Sequence, residues 1–98
     1  MGLNGFSNPP IKLTFNSASN NVCVITIKDD NGVVLYTFTG ALKNVNVSLD
    51  PKNGLNSYIV SDKPLTIKHT VNDGDEVIKE QTTTSNRAVF IDDLDYLK

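Results

Sequence analysis

The stretch Val22-Cys23-Val24-Ile25-Thr26-Ile27-Lys28-Asp29-Asp30-Asn31-Gly32-Val33-Val34-Leu35-Tyr36-Thr37-Phe38-Thr39 holds two apolar-rich runs on either side of a turn signal. Over residues 22–28, Cys23, Ile25 and Ile27 fall on one side of an extended chain and Val24 and Thr26 on the other, the period of two that a strand imposes. Asn-Gly accommodates positive φ, which tight hairpins require, so Asp29-Asp30-Asn31-Gly32 predicts a hairpin in which residues 33–39 return beside 22–28.

The same alternation runs outward in both directions. Ile11, Leu13 and Phe15 alternate with Lys12, Thr14 and Asn16, and Val45, Val47 and Leu49 with Asn44, Asn46 and Ser48. Further strands are expected over residues 58–60, 65–71, 77–84 and 87–91, the third polar on both faces and so an edge strand. Asp62-Lys63-Pro64 and Asn72-Asp73-Gly74-Asp75 read as turns, and residues 50–54 as a loop. Composition agrees. Val, Ile and Thr supply 26 of the 98 residues against 7 for Ala, Glu, Gln and Met together, and β-branched side chains fit a pleated sheet better than a helix. The expectation is an all-β domain over residues 11–98, preceded by an N-terminal arm, residues 1–10. It would be a two-layer antiparallel β-sandwich of about eight strands, immunoglobulin-like or a small jelly roll.

Several functional classes are disfavoured. Nine basic side chains, no two of them adjacent, stand against 11 acidic ones, so the clustered cations that nucleic acid requires are missing. Apolar runs of four residues at most exclude a helical membrane span. Met1-Gly2-Leu3-Asn4-Gly5-Phe6 lacks the charged and apolar regions of a secretion signal. The chain is therefore expected in the cytoplasm, or in a virion or other extracellular assembly after release. A single cysteine excludes an internal disulfide, so a domain this small must stand on packing and on neighbours.

No catalytic residue and no cofactor is assigned. His69, the only imidazole, lies on an apolar row and reads as a structural core residue, and Cys23 reads as a small buried hydrophobe. Asp29-Asp30 and the acidic run at 73–76 read as turn chemistry, and Asn46-Val47-Ser48 matches a glycosylation pattern by composition alone. Asp92, Asp93 and Asp95 are the calcium candidates, because three carboxylates sit close together at a strand end. The most informative stretch is residues 33–38. Val33 and Leu35 can face the core, yet Val34, Tyr36 and Phe38 are apolar too. Either a bulge reorients the strand, or the arm covers it through Leu3 and Phe6, or another chain does.

Two stretches carry resemblances. Ala88-Val89-Phe90-Ile91-Asp92-Asp93-Leu94 resembles the last strand of jelly-roll carbohydrate-binding modules, although the chain lacks the Trp on which such modules stack sugars. The hairpin over residues 25–34 resembles those of immunoglobulin-like surface and phage-virion domains. Neither singles out one family.

The function these readings favour is that of a non-enzymatic structural protein decorating or joining a larger assembly, such as a virus or phage particle or a surface layer. Other protein subunits would be its partners, met through Leu3, Phe6, Val34, Tyr36 and Phe38. The alternative is a module binding carbohydrate or a cell-surface ligand, with calcium assistance, through Tyr36, Tyr58 and Tyr96.

Overall fold

A computed structural model describes residues 11–49 and 54–93, so the expected arm lies outside the described residues. Six strands account for 80% of them: β1 (Ile11–Asn16), β2 (Val22–Asp29), β3 (Val34–Ala41), β4 (Val45–Leu49), β5 (Leu55–Asp73) and β6 (Glu76–Asp92). All pairings are antiparallel. No helix among the described residues is long and apolar enough to cross a membrane.

The strand count corrects the expected eight. The predicted strands at 58–60 and 65–71 are parts of β5, and those at 77–84 and 87–91 are parts of β6. Val60 pairs with Arg87 and the next paired residue, Leu65, with Ser85, so residues 61–64 lie opposite Asn86 alone. The ladder absorbs Asp62-Lys63-Pro64 as a bulge. Proline is tolerated there because a bulged residue owes the ladder no N–H. Side chains close the irregularity: the Ser61 hydroxyl donates to the Lys63 carbonyl at 2.6 Å, and that of Ser85 donates to the Arg87 carbonyl at 3.0 Å.

Nor do the strands divide into separate sheets. One six-stranded sheet runs β3-β2-β5-β1-β4, with β6 on the remaining edge of β5, and it curls into a half-barrel. β5 explains the curl. Its 19 residues would span about 60 Å if straight, more than the 49 Å long axis of the molecule, so it has to bend. Its first part, 55–61, pairs with β2, and its second, 68–73, pairs with β1, while β6 lines the other edge of both parts.

The bend turns the inward rows of the two halves toward one interior. Cys23, Ile25, Ile27, Leu55, Ile59, Ala88 and Phe90 come from one half, and Ile11, Leu13, Phe15, Leu65, Ile67 and Val71 from the other. Each large aliphatic or aromatic side chain enclosed in this way contributes about 1.5–3 kcal/mol. The 22–39 hairpin forms where the sequence places it. Asp29 and Val33 bracket a three-residue loop in which only Gly32 takes positive φ, at 82°, and its N–H donates to the Asp29 carbonyl at 3.0 Å. This is the geometry in which glycine closes a type I turn, so Asn31 does not use its tolerance of that region.

Candidate functional site

The alternation of β5 carries His69 inward, where the ring is wholly buried. Its neighbours come from both halves: Phe15 stacks on it at 4.6 Å between centroids, and Phe90 tilts against it at 4.8 Å. Nδ1 lies 3.0 Å from the Thr14 carbonyl oxygen, which only accepts, so Nδ1 carries a hydrogen and donates it. Nε2 lies 2.9 Å from Asp92 Oδ2, so a second proton sits between imidazole and carboxylate. Lys79 Nζ donates to Asp92 Oδ1 at 3.1 Å and to the Ile91 carbonyl at 2.7 Å. In the ladder His69 pairs with Gln81 and Phe15, and Asp92 with Leu55, so the His69–Asp92 contact crosses the interior. The cluster ties the two halves of the bent β5–β6 hairpin together.

This arrangement fixes what the single imidazole can do. Both ring nitrogens are engaged, and among the described residues neither is bonded to a nucleophile. The Cys23 thiol, also buried, donates instead to the Gly40 carbonyl at 3.5 Å, and burial pushes its pKa up, which keeps it protonated. Of the calcium candidates, Asp92 is enclosed with His69 and Lys79, Asp93 is exposed, and Asp95 lies outside the described residues. Among the described residues no group of three or more His, Cys, Asp or Glu could hold a metal ion. Asp29 serves turn geometry, while Asp30 ties the hairpin to the start of β5. Asp29 Oδ1 accepts from the Asn31 and Val33 N–H groups at 2.9 and 3.0 Å, while Asp30 accepts from the Gly54 N–H and the Asn56 amide, each at 3.1 Å.

The partner candidates divide. Leu3 and Phe6 lie outside the described residues. Tyr36 and Phe38 pack against the core, while Val33, Val34 and Leu35 are exposed, so the inward row is the reverse of the one in which Val33 and Leu35 face the core. A bulge is the cause: Ile27 pairs with Tyr36 but Lys28 with Val34, which leaves Leu35 as the extra residue.

The surface most unlike ordinary solvent-facing sheet lies elsewhere. On the outside of one half, three rows cross β3, β2, β5 and β6: Val34–Lys28–Asn56–Ile91, Thr37–Thr26–Tyr58–Val89 and Thr39–Val24–Val60–Arg87. Val24, Tyr58, Val60, Val89 and Ile91 are 39–58% exposed there. The corresponding rows of the other half read Asn46–Thr14–Thr70–Glu80 and Ser48–Lys12–Asn72–Val77, and are polar but for Val77. Polar side chains in that half satisfy one another: the Thr14 and Thr70 hydroxyls are hydrogen-bonded, and Lys68 pairs with Glu80 at 3.2 Å. One curled sheet therefore carries a solvated outer face and an apolar one. Sequence reading missed the apolar face because it concentrated on residues 33–38. The available signals were the unbroken run Ala88-Val89-Phe90-Ile91 and the valines on the second face of β2 and β5.

The fold and this surface define an antiparallel all-β half-barrel with a one-sided apolar exterior. Comparison with protein-family models, with curated proteins and with solved structures returns no match to this chain.

Proposed function

We propose that this chain is a non-enzymatic structural module that joins or decorates a larger assembly, such as a virus or phage particle or a surface layer. Its two halves would pack in the manner of an immunoglobulin-like or jelly-roll sandwich. The observation that supports the reading is the apolar outer face of β2, β5 and β6. Contiguous exposed apolar surface of this kind usually marks a protein contact, and it stands beside a polar face built on the same strands. Other protein subunits are the partners the reading implies.

The alternative of a carbohydrate- or cell-surface-ligand-binding module rests on Tyr58, whose ring lies on the same face. Lys28 Nζ sits 5.6 Å from that ring's centroid and occupies one side of it, where a sugar would stack. The assembly reading is therefore preferred. Native mass measurement of the protein recovered from its source tests it. The chain is expected within a complex heavier than its own 10.7 kDa, and recovery solely as a 10.7 kDa species refutes the reading.

A further inference from the structure

We infer that Lys79 and Asp92 are the two ends of an intramolecular amide cross-link, formed by condensation of the Lys79 amine with the Asp92 carboxyl while His69 carries the proton. The reaction occurs once per chain and does not depend on what covers the outer face of β2, β5 and β6.

Placement comes from the bend. Lys79 stands in the first part of β6, opposite Val71, and Asp92 ends the second part, opposite Leu55. In a straight strand their offset of 13 residues would hold them about 40 Å apart. The curl of the sheet turns both toward one interior and brings Lys79 Nζ to 3.1 Å from Asp92 Oδ1, an oxygen bonded to the reacting carbon Cγ. The Ile91 carbonyl accepts from the same Nζ at 2.7 Å and holds it beside the carboxyl. Two groups anchored in this way meet without the entropic cost of finding each other.

Burial supplies the driving force. In water an amine and a carboxyl resist condensation because each is stabilised as a hydrated ion. The Asp92 side chain is wholly enclosed and that of Lys79 is only 23% exposed, while His69, which engages the other Asp92 oxygen, sits between Phe15 and Phe90. Keeping separate ions there is costly, and an amide removes both charges at once. The partial exposure of Lys79 places the reaction at the rim, where the released water has a way out.

The ring of His69 is set for the proton transfer. Nδ1 donates to the Thr14 carbonyl, so Nε2 is the nitrogen that exchanges a proton with Asp92 Oδ2, 2.9 Å away. With the shared proton on Oδ2 the carboxyl is uncharged. Lys79 gives one proton to solvent and its neutral amine attacks Cγ, forming the Nζ–Cγ bond. Nε2 takes a proton from the attached nitrogen and passes it to Oδ2, the Cγ–Oδ2 bond breaks, and one water leaves. No oxidant or other reactant enters. The product fixes the bend covalently, which suits a module held under load in a layer or a particle.

The intact mass of the folded full chain, read under denaturing conditions after prolonged incubation, is the test. The chain is expected one water lighter than its sequence. Tryptic digestion is expected to leave Lys79 uncut and to give residues 69–87 joined to residues 88–98. Lys79→Arg keeps a cation beside Asp92 without a nucleophilic amine, and should restore the full sequence mass, as should Asp92→Ala. His69→Gln keeps a donor toward Oδ2 but relays no proton, so it should slow the water loss by about a hundredfold or more while the far-UV circular dichroism stays that of the parent. A chain that melts cooperatively yet keeps its full sequence mass overturns the inference. So does water loss that persists in Lys79→Arg, or that maps to a peptide cut after Lys79, where an imide at Asp73-Gly74 would account for it. A folded His69→Gln that cross-links at the parent rate overturns the role given to His69.

Discussion

Asp92→Ala is the perturbation that most directly tests how the half-barrel is held. The carboxylate is fully buried and receives His69 on one oxygen and Lys79 on the other. Removing it leaves the imidazole's second proton without an acceptor in a cage of Phe15, Phe90 and aliphatic side chains, and breaking one side of a buried pair costs about 3–5 kcal/mol. A domain of this length is stable by about 5–15 kcal/mol, so the change removes about a fifth or more of the total. At about 4–8 °C per kcal/mol the melting temperature should fall by roughly 12–40 °C. His69→Leu alone should cost a similar amount, because the buried Asp92 Oδ2 then loses its hydrogen bond to Nε2. The double substitution His69→Leu with Asp92→Ala removes both polar partners together. Its cost should fall short of the summed single costs by about 1–3 kcal/mol. Urea unfolding followed by far-UV circular dichroism provides the free energies, since the chain has no Trp to report by fluorescence. Single costs below about 1 kcal/mol, or strict additivity in the double variant, would refute the claim that this cluster joins the two halves.

Three further outcomes follow from the interior and its rim. Ser57 Oγ is buried with no hydrogen-bond partner among the described residues, so Ser57→Ala should stabilise the fold by about 1 kcal/mol in the same urea assay, and a loss of that size would mean the hydroxyl is satisfied. Cys23 should resist iodoacetamide in the native state and react on unfolding. Because burial raises its pKa, the stability tied to it is complete below the ordinary thiol range and declines as the pH climbs past about 8.5. Cys23→Val should flatten that decline, and rapid native alkylation would contradict the enclosure. Millimolar calcium should leave the melting temperature unchanged, because both Asp92 oxygens are already engaged by His69 and Lys79; a clear upward shift would refute this.

The strands were legible where one face is apolar and the other polar. Ile11, Leu13 and Phe15 against Lys12, Thr14 and Asn16 admit one orientation, and the structure adopts it. The hairpin closing on Gly32 was legible for a similar reason, since few residues take positive φ at so little cost. Asp62-Lys63-Pro64 misled because turn composition identifies a departure from regular ladder geometry without saying whether the chain reverses. Here the partner strand carries its own break at Asn86, both strands bend together, and pairing resumes beyond. That bend made six strands out of the expected eight, and nothing local to residues 61–64 encodes the matching irregularity some 20 residues on.

The functional surface was harder to read for a related physical reason. Period-two alternation identifies the buried row clearly only when the opposite row is polar, and in β2, the first part of β5 and the last part of β6 both rows carry large apolar side chains. A sandwich reading assigns one row to the core and leaves the other unexplained, which drew attention to residues 33–38, the stretch with the densest surplus. The bulge at Leu35 resolves that stretch locally by turning Tyr36 and Phe38 inward. No such device acts on Val24, Val60 or Val89. These three pair in regular register beside Ile25, Ile59, Ala88 and Phe90, whose inward placement is enforced by the core, so their outward placement is enforced as well. Their exposure is thus a consequence of a well-determined ladder. A sequence that needed only solubility there could have used threonine, as the other half does at Thr14, Thr66 and Thr70. The choice of valine on one half and threonine on the other, along the same continuous β5, is the strongest physical reason to look for a partner on the valine side.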